Sequence, residues 1–210
     1  MKALTILITG GIGSGKSAVS RHLAGNGVPV YDSDSRTKAL YDGTLGEVLE
    51  RELGVHLHDV DGKFDRKALA ALIFNDSRSL ERVEAIVHPA VLEDFIRWRE
   101  KMMPLSGWNG YAGMGPFVCM ESAIAMDKPL FDGSYDISVL VDAREDIRVA
   151  RASLRDSASE EAIRCRIRNQ HLDASRADYV IENNGSREEL AIAVDGVFRR
   201  MAVELAAANS

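Results

Sequence analysis

Residues 10–17 read Gly10-Gly11-Ile12-Gly13-Ser14-Gly15-Lys16-Ser17, which matches the spacing of a phosphate-binding loop. The apolar, β-branched run 3–9 before it predicts a strand, and residues 18–24 after it predict a helix. Glycines let backbone N–H groups approach phosphate oxygens closely, and the following helix adds its positive N-terminal end. A glycine-rich turn is the alternative, but the flanking strand and helix favour a phosphate site.

The end of this loop carries the side chains that a nucleotide phosphate requires. Lys16 can place its charge on the β- and γ-phosphates, and the Ser17 hydroxyl can bind Mg²⁺. We therefore expect a nucleotide cofactor and a magnesium ion that has Ser17 as its protein ligand. The predicted phosphate-binding residues are Gly11, Ile12, Gly13, Ser14, Gly15, Lys16, Ser17 and Ala18.

The bulk composition limits the class of protein. The chain has 210 residues, 46% of them hydrophobic, which is enough for one compact α/β domain with an insertion. Its net charge of −6 disfavours general binding to nucleic acid or acidic membranes. Cys119 and Cys165 form no metal or redox motif, so we expect both to be buried, reduced thiols. No apolar run approaches the roughly 20 residues of a membrane span, and we expect a cytosolic protein.

Further strands are predicted at residues 28–31, 116–121, 136–142 and 177–181. The first of them leads into Asp32 and Asp34, which places two acids at the strand end where open parallel sheets bind ligands. The next two end in Glu121 and Asp142. Any of Asp32, Glu121 or Asp142 could support the magnesium ion, and the residue pattern leaves that choice open.

Residues 35–103 have a helical pattern and predict an insertion between the second and third strands. Asp65 and Ser77 are predicted N-caps. His88-Pro89 predicts a break, with Pro89 opening a further helix, because the residue before a proline disfavours helical geometry. Residues 104–115 are glycine-rich, and Trp108 and Tyr111 favour a surface loop held down by its aromatics over a ligand site.

Seven arginines fall between residues 144 and 168, in two predicted helices. A solvated hairpin, with its arginines paired to neighbouring acids, is one interpretation. The other is a flap that closes over a triphosphate, because arginine suits bidentate phosphate contacts. The first helix presents one face made of Arg144, Arg148, Arg151 and Arg155. After the last strand, Ser186 and Glu189 form a predicted capping box before a final amphipathic helix.

Several motifs occur together and in order. Besides GGIGSGKS, they are YDSD ending at Asp34, IF-N-D near Ile73, IVHPAV around His88, R-x-x-x-R-D from Arg151 to Asp156, RIRNQ ending at Gln170, and ADYVIENNGS from Ala177 to Ser186. With these motifs, the chain resembles the dephospho-CoA kinase family over nearly its whole length. The phosphate loop alone is common to many families, whereas the combination is restrictive. Ala18 departs from the threonine that many members carry after the loop serine.

The resemblance implies an α/β P-loop kinase fold. It has a five-stranded parallel sheet with helices on both faces, a helical substrate-binding insertion and a helical lid. It implies three regions: a nucleotide-binding core (1–34, 116–143 and 171–210), an acceptor lobe (35–115) and an arginine-rich lid (144–170). The implied reaction transfers the γ-phosphoryl group of ATP to the ribose 3′-hydroxyl of dephospho-CoA, with Mg²⁺, as the last step of coenzyme A synthesis. The implied partner is that small-molecule substrate, with no nucleic acid or membrane partner, for a monomer or a small homo-oligomer.

The resemblance also implies residue roles. Asp34 is the expected base for the acceptor hydroxyl, with Asp32 beside it, and Lys16, Arg151 and Arg155 are expected on the phosphates. His88 and Pro89 are expected in the lobe that receives dephospho-CoA. Asn183, Asn184 and Gly185 are expected near the adenine of ATP.

Two other classes of function remain possible from the residues alone. One is a different small-molecule kinase on the same fold, such as a nucleotide or shikimate kinase. The other is a nucleotide-binding regulator without transfer chemistry. A GTPase is disfavoured because the sequence has no Asn-Lys-x-Asp motif for guanine, and the D-x-x-G match at residues 59–62 falls in the helical insertion.

Overall fold

The structure is a computed structural model that describes residues 4–74, 76–103, 111–170 and 173–208. Trp108 and most of the predicted 104–115 loop therefore lie outside the described residues. The chain forms two compact units, one of Met1–Tyr31 with Arg99–Ser210 and the other of Asp32–Trp98. The assignment of residues 35–115 to acceptor binding stays a prediction.

Five strands form one sheet in the order β2-β3-β1-β4-β5. They are β1 (Leu4–Thr9), β2 (Val30–Asp32), β3 (Phe117–Glu121), β4 (Ile137–Asp142) and β5 (Tyr179–Glu182). β1 pairs in parallel with β3 and β4, and β4 pairs in parallel with β5. The predicted five-stranded parallel sheet is confirmed.

Eight α-helices accompany the sheet within the described residues. They are α1 (Lys16–Gly25), α2 (Ser33–Tyr41), α3 (Thr44–Leu53), α4 (Arg66–Phe74), α5 (Ser77–Met102), α6 (Glu145–Asp156), α7 (Glu160–Arg168) and α8 (Arg187–Ala208). The predicted capping box opens α8, because the Glu189 carboxylate accepts from the Ser186 N–H at 2.7 Å and the Ser186 hydroxyl accepts from the Glu189 N–H at 3.2 Å. None of the helices is long and apolar enough to cross a membrane over the ranges that the structure describes.

The main core of the first unit lies on the sheet, where α1 and α8 bury their apolar faces against β1, β3, β4 and β5. Tyr111 packs on this core with its ring centroid 5.5 Å from that of Phe198, and its hydroxyl donates to Asp195. This agrees with a loop held down by its aromatic residue. Cys119 is buried as expected, but Cys165 is exposed on α7, so the prediction of two buried thiols is wrong for Cys165.

Pro89 does not open a helix. α5 runs from Ser77 to Met102 with Pro89 inside it, so the predicted break at His88-Pro89 is wrong. An interior proline costs roughly 3 kcal/mol because it removes a hydrogen bond and crowds the preceding turn. The helix continues because one apolar stripe is buried on both sides of the proline, and this burial offsets the cost. The stripe consists of Val83, Val87, Val91 and Phe95.

Of three further predicted boundaries, one is confirmed and two are wrong. Asp65 caps α4 as predicted, since its carboxylate accepts from the Ala68 N–H at 3.0 Å. Asp76, and not the predicted Ser77, occupies the cap before α5, because it accepts from the Arg78 N–H at 3.0 Å. β2 begins at Val30 and not at residue 28, because Pro29 has no N–H with which to extend a strand ladder.

Candidate active site

The phosphate loop leaves β1 and enters α1 as the sequence predicts. Gly15 precedes α1 in the left-handed region, with a φ of 101°. A Cβ there would lie 2.1 Å from the Asn183 amide nitrogen, so only glycine fits. That nitrogen donates to the Ser14 carbonyl at 2.8 Å, and Asn183 is buried at the end of β5. Asn183 therefore holds the loop in shape from the carboxyl end of β5, which is two strands away from β1 in the sheet.

Lys16 and Ser17 begin α1 and face different partners. The Lys16 ammonium donates to the Gly11 carbonyl, near the start of the loop, at 3.4 Å. The Ser17 hydroxyl donates to the Glu121 carboxylate at 2.7 Å. Glu121 ends β3 and is buried, with 7% of its surface exposed. The sequence predicts Glu121 as one of three candidate acids but does not link it to Ser17, because that contact depends on the pairing of β3 with β1.

The chemistry of the Ser17–Glu121 pair fits a magnesium ion. Mg²⁺ prefers hard oxygen ligands and keeps several waters, and it needs only one or two protein groups when phosphates are present. No cluster of three or more histidines, cysteines or acids that could hold a metal alone occurs in the described ranges. Of the other two candidate acids, Asp32 caps α2 by accepting from the Ser35 N–H at 3.1 Å. Asp142 is exposed at the end of β4.

A cavity of about 430 Å³ opens above the loop. Within the first unit it is lined by the loop, by the N-terminal end of α1, by α6 and by the turn between β5 and α8. Eight of the residues predicted for nucleotide binding meet here, but Ile12 and Ser14 do not line the cavity. The Ile12 N–H donates to Gln170 at 2.8 Å, and Ser14 is buried. The lining includes Gly11, Gly13, Gly15, Lys16, Ser17, Ala18, Arg151, Arg155, Asn183 and Gly185.

The arginines of α6 and α7 divide into two groups. Arg151 donates to the Asn183 carbonyl at 2.8 Å and to the Gly185 carbonyl at 3.3 Å. Arg155 reaches the same cavity while its guanidinium pairs with Asp156, and this pairing lowers the pKa of the Asp156 carboxyl. Four other arginines pair with acids of the same two helices, so the interpretation as a solvated hairpin holds for them. These are Arg144, Arg164, Arg166 and Arg168.

Arg148 and Gln170 were not predicted as site residues, yet both contact the loop. The Arg148 Nε donates to the Ile12 carbonyl at 3.0 Å, and the Gln170 side-chain oxygen accepts from the Ile12 N–H at 2.8 Å. Gln170 lies in the RIRNQ motif, which was the only signal for it in the sequence. The charge pattern of α6 gave no means of separating Arg148 from its neighbours.

The residues predicted for the acceptor side lie in the second unit. Asp34 is in the first turn of α2, two residues after β2 ends. α2 is fixed to α5 by a bidentate ion pair, in which Arg36 lies 2.8 and 2.7 Å from the two oxygens of buried Asp94. His88 and Pro89 lie in the middle of α5. Sequence reasoning did not find the Arg36–Asp94 pair, because a single charged pair at this separation carries no local pattern.

Comparison with known proteins gives one consistent family. Residues 4–189 match the model of the dephospho-CoA kinase family, CoaE. The dephospho-CoA kinase of Porphyromonas gingivalis is 40% identical over 186 residues, with 86% of each chain covered. That of Thermobifida fusca is 34% identical, with 94% of this chain and 96% of the relative covered.

Solved structures agree on the fold. The Thermus thermophilus protein TT1252 has a TM-score of 0.73 at 34% identity, covering 95% of this chain and 98% of that one. A dephospho-CoA kinase from Campylobacter jejuni has a TM-score of 0.66 at 19% identity, with 95% and 98% covered. A shikimate kinase from Acinetobacter baumannii has a TM-score of 0.53 at 16% identity, with 97% and 95% covered. The last two likenesses concern the fold alone.

Proposed function

The chain belongs to the dephospho-CoA kinase family and catalyses the final step of coenzyme A biosynthesis, and we propose that ATP, bound at the phosphate loop, is its phosphoryl donor. In this reaction the ribose 3′-hydroxyl of dephospho-CoA attacks the γ-phosphorus, the bond to the β,γ-bridging oxygen breaks, and CoA and ADP are formed. The observation that carries the proposal for the donor is the cavity above the loop, which brings six of the eight predicted phosphate-binding residues together.

The donor residues act by position and charge. Phosphoryl transfer needs little covalent help from the protein, because charge on the transferred group must be neutralised and the reacting oxygens held in line. Loop N–H groups and the Lys16 ammonium hold the β- and γ-phosphates. Arg151 and Arg155 reach the same cavity from α6 and add positive charge where the triphosphate lies.

We assign the magnesium site to Ser17, with Glu121 as the acid that supports it. The Ser17 hydroxyl would be the protein ligand, and Glu121, 2.7 Å away, would orient that hydroxyl and accept a hydrogen bond from bound water. When bound, Mg²⁺ would supply positive charge that offsets the negative charge of the phosphates. This assignment selects Glu121 because its carboxylate accepts from the Ser17 hydroxyl. Asp32 is engaged as a helix cap, and Asp142 is exposed at the end of β4.

For the acceptor side we assign Asp34 as the general base. Its carboxylate would take the proton of the 3′-hydroxyl as that oxygen attacks, because a positioned carboxylate makes the hydroxyl a better nucleophile. The support is its place along the chain, directly after β2, and the family motif YDSD. Asp32 stabilises α2 and orients the segment. The second unit, including His88 and Pro89, would bind dephospho-CoA.

The test of this function is an acceptor panel. Purified protein is incubated with ATP and Mg²⁺, and with dephospho-CoA, shikimate, gluconate or adenosine, and ADP release is measured. Of the four acceptors, we expect only dephospho-CoA to cause ADP release. Mass spectrometry should then identify CoA as the product. Turnover of another alcohol without dephospho-CoA turnover would assign the chain to a different kinase. Absence of turnover with every acceptor, from protein that binds ATP, would favour a regulator.

A further inference from the structure

Ile12, the third residue of the phosphate loop, is held at three points by the pair of helices α6 and α7. Its N–H donates to Gln170, just after α7, at 2.8 Å. Its carbonyl accepts from Arg148 of α6 at 3.0 Å. Its side chain packs against the small core between the two helices. One loop residue thus contacts the helix pair through both backbone polar groups and its side chain.

The next residue brings the two backbones into direct contact. Gly13 has a φ of +75°, and a Cβ at that position would lie 2.1 Å from the Arg148 carbonyl oxygen. A side chain as small as a methyl group therefore does not fit between the loop and α6 in this arrangement. The loop shape and the position of α6 depend on each other at this contact.

The core of the helix pair is small, so the contribution of Ile12 is a large share of it. Its buried members are Val149, Ala152, Ile163 and Ile167, with Ile12 and Ala158 packed against them. Isolated helices of 12 and 9 residues are marginal in water and depend on packing for stability. Additional contacts join α6 to the β5–α8 turn, such as the Arg144 N–H with Asn184 at 2.8 Å. The segment after α7 contacts the loop through the side chain of Gln170.

We propose that Ile12, Arg148 and Gln170 are positioning residues for phosphoryl transfer, which make the loop conformation and the docking of the helix pair one cooperative unit. The Ile12 N–H is already occupied by Gln170, so its role differs from that of the N–H groups that face phosphates. A nucleotide that stabilises the loop then stabilises the docked helix pair, and the docked pair strengthens nucleotide binding by the same factor.

The consequence for the reaction concerns Arg151 and Arg155. Both extend from α6 into the cavity above the loop. Docking through Ile12 therefore sets the position of the two arginines at the same time as the position of the loop. This inference rests on the proposed function in one respect, which is that the loop binds a nucleotide.

The test is amide hydrogen exchange of residues 145–168 in the full-length protein, with and without ADP at a concentration shown by titration to saturate each variant. In the wild type we expect ADP to slow exchange in α6 and α7. In Ile12→Ala we expect that protection to fall about tenfold even at saturation, because the coupling through the shared core is lost. Leu154→Ala is the matched control, since Leu154 lies on α6 with 87% of its surface exposed. It should leave the protection unchanged.

Gln170→Ala provides a second, milder variant, because it removes the hydrogen bond to Ile12 and leaves the apolar core intact. We expect an intermediate loss of ADP-dependent protection, about threefold, and a matching rise in the KM for ATP with the KM for dephospho-CoA unchanged. Wild-type protection in Ile12→Ala would overturn the proposal. Should Ile12→Ala fail to fold, wild-type protection in Gln170→Ala would overturn it equally. Because ADP is the probe, a failure to phosphorylate dephospho-CoA would not alter this outcome.

Discussion

The Ser17 hydroxyl lies 2.7 Å from the Glu121 carboxylate, although 104 residues separate them in the chain. The contact exists because β3 pairs in parallel with β1, in a register that sets Glu121 opposite Ile8, close to the start of the phosphate loop. A buried carboxylate is therefore placed beside the hydroxyl that we assign to magnesium.

Glu121→Gln should weaken the use of Mg²⁺ while preserving the fold. The amide keeps the size of the side chain but loses the negative charge that strengthens the hydrogen bonds accepted from the Ser17 hydroxyl and from bound water. Loss of such an outer-shell partner typically costs about 10- to 100-fold in metal affinity or activity. Activity measured against Mg²⁺ concentration should show a higher half-saturation value. Glu182→Gln, at the exposed end of β5, is the control and should behave as wild type. An unchanged Mg²⁺ dependence in Glu121→Gln would remove Glu121 from the site.

Gly13→Ala should weaken nucleotide binding, whereas an alanine at a glycine outside the loop should not. Gly133→Ala is the matched control, because the two glycines have φ values of +75° and +76°, but open space surrounds Gly133. Both substitutions share the backbone strain of roughly 1–2 kcal/mol, whereas only Gly13→Ala drives a methyl group into the Arg148 carbonyl. We expect ADP affinity, measured by calorimetry, to fall at least about tenfold in Gly13→Ala and to stay unchanged in Gly133→Ala. Equal affinities in the two variants would show that the loop is not packed against α6.

Because of Glu50, we expect the second unit to lose stability in acid. Its carboxylate accepts from the Leu57 N–H and lies 2.9 Å from His58 Nδ1 and 3.0 Å from His56 Nδ1. The hydrogen bond from Leu57, followed by that from His58, holds the pKa of Glu50 below its usual value of 4.5. A lowered pKa contributes stability that is present above pH 4.5 and is lost as the pH falls through the folded-state value.

Glu50→Gln should therefore have a free energy of unfolding that depends less on pH than that of the wild type in the acid range. Urea unfolding between pH 7 and pH 3 measures this, and the difference between the two proteins should shrink as the pH falls. Glu52→Gln is the control, because Glu52 pairs with its exposed neighbour Arg51. A difference that stays constant down to pH 3 would contradict the role assigned to the Glu50 carboxylate.

Much of the fold follows from local sequence patterns, because each depends on residues close together in the chain. The phosphate loop, the buried strands and the caps at Asp65 and Ser186 are of this kind. Pro89 shows the limit of such reasoning. Its local preference against a helix is overridden by an apolar stripe that is buried on both sides of it.

The parts of the candidate site that the sequence does not predict are contacts between residues far apart in the chain. Glu121 could be listed as an acid at a strand end, but its pairing with Ser17 depends on the strand order. The Arg148 and Gln170 side chains contact the backbone carbonyl and N–H of Ile12. Such backbone partners cannot be inferred from residue type or spacing. Such pairings require the three-dimensional arrangement of the chain.

The most direct measurement of the central claim is the single-turnover rate of CoA formation by the wild type and by Asp34→Asn, at saturating ATP and dephospho-CoA. Asp42→Asn is the control, since Asp42 lies just after the same helix and pairs with Arg66. We predict that wild type and control form CoA at the same rate, and that Asp34→Asn is slower by about 100- to 10,000-fold with its ATP affinity unchanged. Equal rates for Asp34→Asn and the wild type would contradict the account.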